Sequence, residues 1–221
     1  AQMLVAEGAE VVIASRDPAG IGAAADRIAA ATGRRPGTAV ADITQEGAAD
    51  ALLAEVAARW GALDALVDAV GGSIRSGFEA LSDADWLGNY SFIVLSAVRA
   101  VRASLPLLRQ GAAPSIVLLG AAASRMPYPN QVVSNVHKAG LLGLTKTLAG
   151  EYAAEGIRVN CVAPGRTLTR LWTDRAAKMA AERNVSAEDV IAEFAHEIPL
   201  GRFGTPEEVA AMVLSLIHIS Q

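Results

Sequence analysis

Few residues in this 221-residue chain are of types that do chemistry, and their spacing restricts what they can do. Three histidines, His137, His196 and His218, are scattered without metal-ligand spacing, so no metal site is expected. Cys161 is the single cysteine and has no internal disulfide partner. Nineteen Lys and Arg against 23 Asp and Glu give a net charge of −4, with no basic cluster dense enough to hold a phosphate backbone. That balance argues against nucleic acid as a partner. No apolar run is read as reaching the roughly 20 residues that cross a bilayer, and the N-terminus lacks a signal-peptide layout. The expectation is a cytoplasmic protein with no membrane partner.

With 52% hydrophobic residues, the chain reads as one globular domain over 1–221, with no internal repeat or low-complexity linker. Short runs rich in Val, Ile and Leu alternate with helical segments, the pattern of parallel strands joined by crossover helices. Strands are predicted at Val11–Ser15, Thr38–Asp42, Asp64–Val70, Ser115–Gly120 and Arg158–Val162, all too apolar for a solvent-facing sheet. Asp17-Pro18 reads as a cap followed by proline at the first helical position, giving a helix from Pro18 to Ala31 that stops at Thr32-Gly33. Ser82 to Asp85 approximates a capping box before a long helix ending near Gln110-Gly111. Thr205-Pro206 repeats the cap-then-proline signal for a last helix. A further helix spans Val132 to Ala154, where Gly140, Gly143 and Gly150 are positions that would let another backbone approach. Residues 166–204 are expected to form a mobile lid.

The alternation acquires an identity at SNVHK, residues 134–138, followed by AGLLGLTKTLA at 139–149, which resembles the short-chain dehydrogenase/reductase family. Further matches are Asp42-Ile43, Gly71-Gly72, RVNCVAPG at 158–165 and GRFGTPEEVA at 201–210, so the likeness spans nearly the whole chain. The resemblance implies a single Rossmann-like, doubly wound parallel sheet, NADP in preference to NAD, hydride transfer to or from a small carbonyl or alcohol, and a homo-oligomer built on helices 86–110 and 134–154. AQMLVAEGAE at 1–10 resembles the end of the family's first helix. The expectation is therefore a fragment lacking the family's first and last strands and its glycine-rich turn, with weakened cofactor binding. The strand at 11–15 is then expected to leave a buried row of backbone groups unpaired on one side. LSLIHIS at 214–220 resembles a translated transposon end, which makes 214–221 a doubtful tail.

For the cofactor, the resemblance places Arg16 against an adenosine 2′-phosphate, which a guanidinium grips bidentately, unless it is only a solvated turn residue. Asp42 and Ile43 match the adenine-contacting pair, with a helix-cap neighbourhood as the plainer alternative. Gly71 and Gly72 fall near the ribose, although DAVG at 68–71 stands where the family has Asn-Asn-Ala-Gly. Pro164, Gly165, Thr167 and Thr169 match the stretch holding the nicotinamide carboxamide, or form a plain strand-end turn.

The family uses a tyrosine as proton donor, a lysine four residues on that lowers its pKa, a serine, and a relay asparagine. Here the lysine is Lys138, which also meets the cofactor ribose. The tyrosine position is Ser134, the serine position Ala121 and the asparagine position Ile93, with Asn89 one turn too early. A serine hydroxyl is a far weaker acid than a phenol of pKa about 10. Ser124 and Tyr128 are the nearest substitutes by sequence, and Trp86 and Trp172 read as core and lid residues. The implied protein is an oxidoreductase with impaired catalysis, or a nucleotide-binding pseudoenzyme or oligomer partner, or a gene fragment without function.

Overall fold

The computed structural model describes residues 1–218; Ile219, Ser220 and Gln221 of the doubtful tail lie outside the described residues. In chain order the elements are α1 (Gln2–Ala6), β1 (Val12–Ser15), α2 (Pro18–Thr32), β2 (Gly37–Val40), α3 (Ala48–Trp60), β3 (Ala65–Asp68), α4 (Asp83–Tyr90), α5 (Ser96–Leu108), β4 (Ser115–Leu119), α6 (Val132–Glu151), β5 (Arg158–Val162), α7 (Arg170–Arg183), α8 (Ala187–His196) and α9 (Pro206–His218). The expected α/β class is met: every strand pair is parallel, and helices link the strands. Strand bounds agree with the sequence reading to within two residues at either end.

The predicted starts rest on real caps. Asp17 accepts a hydrogen bond from the Ala19 amide, and α2 stops at Gly33, whose φ of 75° needs no Cβ. Ser82 and Asp85 make the reciprocal bonds of a capping box. Thr205 Oγ1 accepts from the Glu208 amide at 3.1 Å.

The sheet falls into two hydrogen-bonded groups, β1–β2 and β3–β4–β5. β1 pairs only with β2, as expected. β1 is half-buried, with Ala14 exposed, so it is less enclosed than the sequence reading expected. β4, flanked on both sides, has every residue but Leu119 buried. The two groups are joined by side chains. Leu53 and Val56 of α3 pack on Leu107 of α5. Arg99 of α5 donates to the Thr44 carbonyl beyond β2.

Three expectations need correction. Residues Asp83–Leu108 form one 26-residue helical stretch whose most apolar window has mean hydropathy 1.5, long and apolar enough to cross a membrane by composition. The sequence reading missed it because Arg99 and Arg102 interrupt its apolar run. Here its apolar face (Ile93, Ala97, Val101, Leu105, Leu108) packs on Ile116 and Leu118. Within that stretch Ser91–Leu95 make a π-helical turn, which sequence periodicity did not signal. Residues 166–204 hold two helices with a small core of their own, Ala176, Ala180 and Val190, and a second capping box at Ser186 and Asp189. Gly143 and Gly150 face open space, and a Cβ on Gly140 would make only an ordinary contact with Val94, so no backbone within this chain approaches them. Residues 214–218 continue α9; Leu216 and Ile217 pack beside Val117 and Val162, and their carbonyls accept from Arg158.

Candidate active site

The carboxyl ends of β3 and β4 converge on one face of α6. The 3.6-residue period puts Ser134, His137 and Lys138 on that face, and all three are buried. Lys138 Nζ donates to the Leu119 carbonyl at 2.7 Å and approaches the Val70 carbonyl at 3.5 Å. Burial pushes its ammonium below the usual lysine range, against the pull of Asp68 and Cys161. Asp68, itself buried at the end of β3, has its carboxyl pushed up by burial, opposed by the Val70 amide and Lys138. Burial likewise raises the Cys161 thiol.

Lys138→Met is expected to destabilise the fold by about 1–3 kcal/mol near neutral pH, because two carbonyls lose a donor and Asp68 loses its opposing charge. Asp68 has a folded pKa above its unfolded one, so its charged form is the costly one in the native state. The loss is therefore full above the folded titration of Asp68 and shrinks as the pH falls below it. Urea unfolding at acidic and neutral pH reads the difference.

Ser134 Oγ accepts a hydrogen bond from the Ile74 amide at 3.3 Å, so this hydroxyl pins the loop after β3. Ala121 begins a 3₁₀ turn over Ala122–Ser124 in extended backbone and offers no hydroxyl. Ile93 is 0% exposed among core side chains and does not reach the site. Asn89 on α4 meets α6 by a polar contact, its Oδ1 lying 2.8 Å from His137 Nδ1. Burial lowers the His137 pKa, and Trp86 and Tyr90 each set a ring edge-on to it at 5.8 Å.

The two nearest substitutes by sequence are engaged with other partners. Ser124 Oγ donates to the Lys138 backbone carbonyl at 2.9 Å. Tyr128 is held by its backbone to the Asn135 side chain. Among the described residues, the hydrogen-bond partners of Lys138 Nζ are backbone carbonyls, and no phenol is one of them.

Of the cofactor candidates, Arg16 is exposed at the end of β1, its guanidinium 5.8 Å from the Phe92 ring. Asp42 Oδ1 accepts from the Thr44 hydroxyl at 2.7 Å and its amide at 3.1 Å, and these bonds hold the carboxyl below the usual carboxylate range. With half-buried Ile43 following it, Asp42 borders a cleft of about 200 Å³ shared with Ala39, Gln45 and Leu52. A Cβ on Gly71 would come within 2.7 Å of Lys138 Nζ, and one on Gly72 within 2.9 Å of Phe92, so these glycines admit side chains of the chain itself. A second cleft of about 310 Å³ lies beside them, lined by Gly72, Ser73, Ile74, Gly88, Asn89 and Phe92. The Pro164 carbonyl accepts from the Ala122 amide at 2.8 Å, tying the exit of β5 to that of β4. Gly165 is exposed, Thr167 bridges to Gly204, and Thr169 precedes α7. Trp172 packs edge-on with Phe194 and Phe203.

The sequence reading missed three arginines. Arg75 follows Ile74, and its guanidinium is held below the usual arginine range by burial and by the positive charges of Arg175 and Arg166. Only the spacing of Arg166, Arg170 and Arg175 offered a signal.

Comparison with known proteins agrees with this geometry. The sequence model of the family described as enoyl-(acyl carrier protein) reductase matches residues 1–219. L-fucose dehydrogenase of Mus musculus is 31% identical over 221 residues, an alignment covering 96% of this chain and 74% of that protein. L-sorbose reductase from Gluconobacter frateurii, solved with NADPH and L-sorbose, superposes with a TM-score of 0.94 at 28% identity, over 98% of this chain and 82% of that one. An NADPH-bound oxidoreductase from Pseudomonas aeruginosa PAO1, said to contain an atypical catalytic center, gives a TM-score of 0.89 at 28% identity, over 98% and 82% of the two chains.

Proposed function

This chain belongs to the short-chain dehydrogenase/reductase family, and on that premise we propose that it is an NADP-dependent oxidoreductase by lineage, acting on a small carbonyl or alcohol, with its proton-handling site reduced to Lys138. The observation that carries the reading is the placement of Lys138 and Ser134 on one buried face of α6, at the converging ends of β3 and β4, with the Ser134 hydroxyl already bonded to Ile74.

The residues present fit the cofactor. Arg16 has no carboxylate partner among the described residues, and its exposed fork suits a phosphate. Asp42 borders a cleft of about 200 Å³, and Gly71 leaves the space beside Lys138 Nζ free of a Cβ. When bound, NADPH supplies the hydride. The chain must supply the proton, and a buried serine hydroxyl engaged with a backbone amide is a poor source of one.

NADPH is expected to bind more tightly than NADH, and Arg16→Ala to weaken NADPH about tenfold while sparing NADH. Turnover of a carbonyl panel should stay near background. Fluorescence titration and NADPH absorbance read the two; brisk turnover by the unsubstituted chain would overturn the impaired reading. A second reading, a nucleotide-binding partner acting through helices 86–110 and 134–154, is favoured by the exposure of Leu87, Tyr90 and Val136 on those helices.

A further inference from the structure

Asn89, on α4, is only 5% exposed, and its Oδ1 lies 2.8 Å from His137 Nδ1. An amide oxygen can only accept, so Nδ1 carries the proton of that bond. His137 is itself buried, with the Trp86 and Tyr90 rings edge-on to it, so the imidazole holds the Asn89 carboxamide in one orientation. With the oxygen of this planar group turned to His137, its nitrogen points away. Nδ2 has no hydrogen-bond partner among the described residues. No side-chain nitrogen or oxygen among those residues is both fully enclosed and unpartnered, so the small exposure Asn89 keeps includes Nδ2. The open space that Asn89 borders is the cleft of about 310 Å³ beside Gly72.

That cleft suits a small uncharged molecule. No ionisable side chain lines it, and its apolar walls are Phe92 and Ile74 with the bare backbone of Gly72 and Gly88. Gly88 is exposed, and a Cβ there would meet nothing within 4 Å, so the room extends past its backbone. Two other polar groups of the wall are engaged: Ser73 Oγ lies 2.8 Å from the Gln131 amide, and the Ile74 amide donates to Ser134 Oγ. The second of these bonds sets the cleft one residue away from the buried face of α6. Asn89 Nδ2 is then a fixed donor beside an apolar surface, and an incoming acceptor restores the hydrogen bond that burial otherwise costs it.

We propose that this cleft binds an uncharged ketone, its carbonyl oxygen on Asn89 Nδ2 and its apolar body against Phe92 and Ile74, with His137 as the positioning residue. The proposal rests on the oxidoreductase reading for making that ketone a substrate, but binding needs neither cofactor nor turnover. The carboxamide of the nicotinamide ring presents the same kind of oxygen, and competition with NADPH separates the two sources.

The test is calorimetric titration of the full chain, without NADPH, with acetophenone and with 1-phenylethanol, which match in size while only the alcohol can donate a hydrogen bond. Both are expected to bind. Asn89→Asp keeps an oxygen for His137 and exchanges the free donor for an acceptor, so it should weaken acetophenone about tenfold and leave 1-phenylethanol within about twofold. Gly88→Leu fills the cleft with a good helix former and should abolish binding of both without lowering the thermal midpoint. Saturating NADPH should leave the acetophenone affinity unchanged. No binding of acetophenone to the parent chain, equal weakening of both probes or of neither by Asn89→Asp, binding that survives Gly88→Leu, or displacement by NADPH would each overturn the proposal. Failure of NADPH to bind at all would count against the oxidoreductase reading alone.

Discussion

A chain carrying Ser134→Tyr together with Ala121→Ser is expected to reduce a ketone with NADPH about 10²- to 10⁴-fold faster than the unsubstituted chain, the usual worth of a positioned acid. Position 134 lies four residues before Lys138 on the same buried face, so a phenol there stands beside an ammonium that stabilises its anion. A serine at 121, next to the turn at the end of β4, adds a donor for the developing oxyanion. The obstacle is local: Ser134 Oγ now accepts from the Ile74 amide, and the ring must displace that loop. The loop is mostly exposed between Gly71 and Ala80, so the displacement costs few buried contacts. The rate of NADPH absorbance loss decides the matter. An unchanged rate in a folded double variant would show that Ser134 is only a structural pin.

Ile93→Asn is expected to destabilise the fold by about 3–5 kcal/mol and to restore no activity. The side chain is fully buried against Ala97, Leu141 and their neighbours, where an amide finds no partner. The loss combines the transfer energy of a buried isoleucine, roughly 1.5–3 kcal/mol, with roughly 1–3 kcal/mol for an unsatisfied polar group. Urea unfolding measures it. A variant within about 0.5 kcal/mol of the parent that also gained turnover would return the relay to position 93 and remove Asn89 from the argument.

What the sequence disclosed was local. The caps at Asp17, Ser82 and Thr205 depend on residues within three positions of each other, and all three stand in the structure. β5 has the bounds its apolar run predicted. The second capping box, at Ser186 and Asp189, was equally local and readable, but the loop assignment of 166–204 concealed it. The π turn at Ser91–Leu95 carries no sequence signal. The bond from Ile74 to Ser134 spans 60 residues, and that from Arg99 to Thr44 spans 55. Contacts of that range follow from topology, which single-sequence patterns do not encode.

The division of the sheet has a thermodynamic consequence. The segment carrying Arg16 and Asp42 holds to the rest through the Leu53, Val56 and Leu107 contact, the Arg99 bond and the Arg16–Phe92 stacking, with no ladder between β1 and β3. Side-chain adhesion of that kind yields at lower free energy than a continuous hydrogen-bonded ribbon. The lobe carrying Arg16 and Asp42 is therefore expected to open before the lobe carrying Lys138, a difference that amide hydrogen exchange reads, and a ligand spanning both lobes would act as the missing mortar.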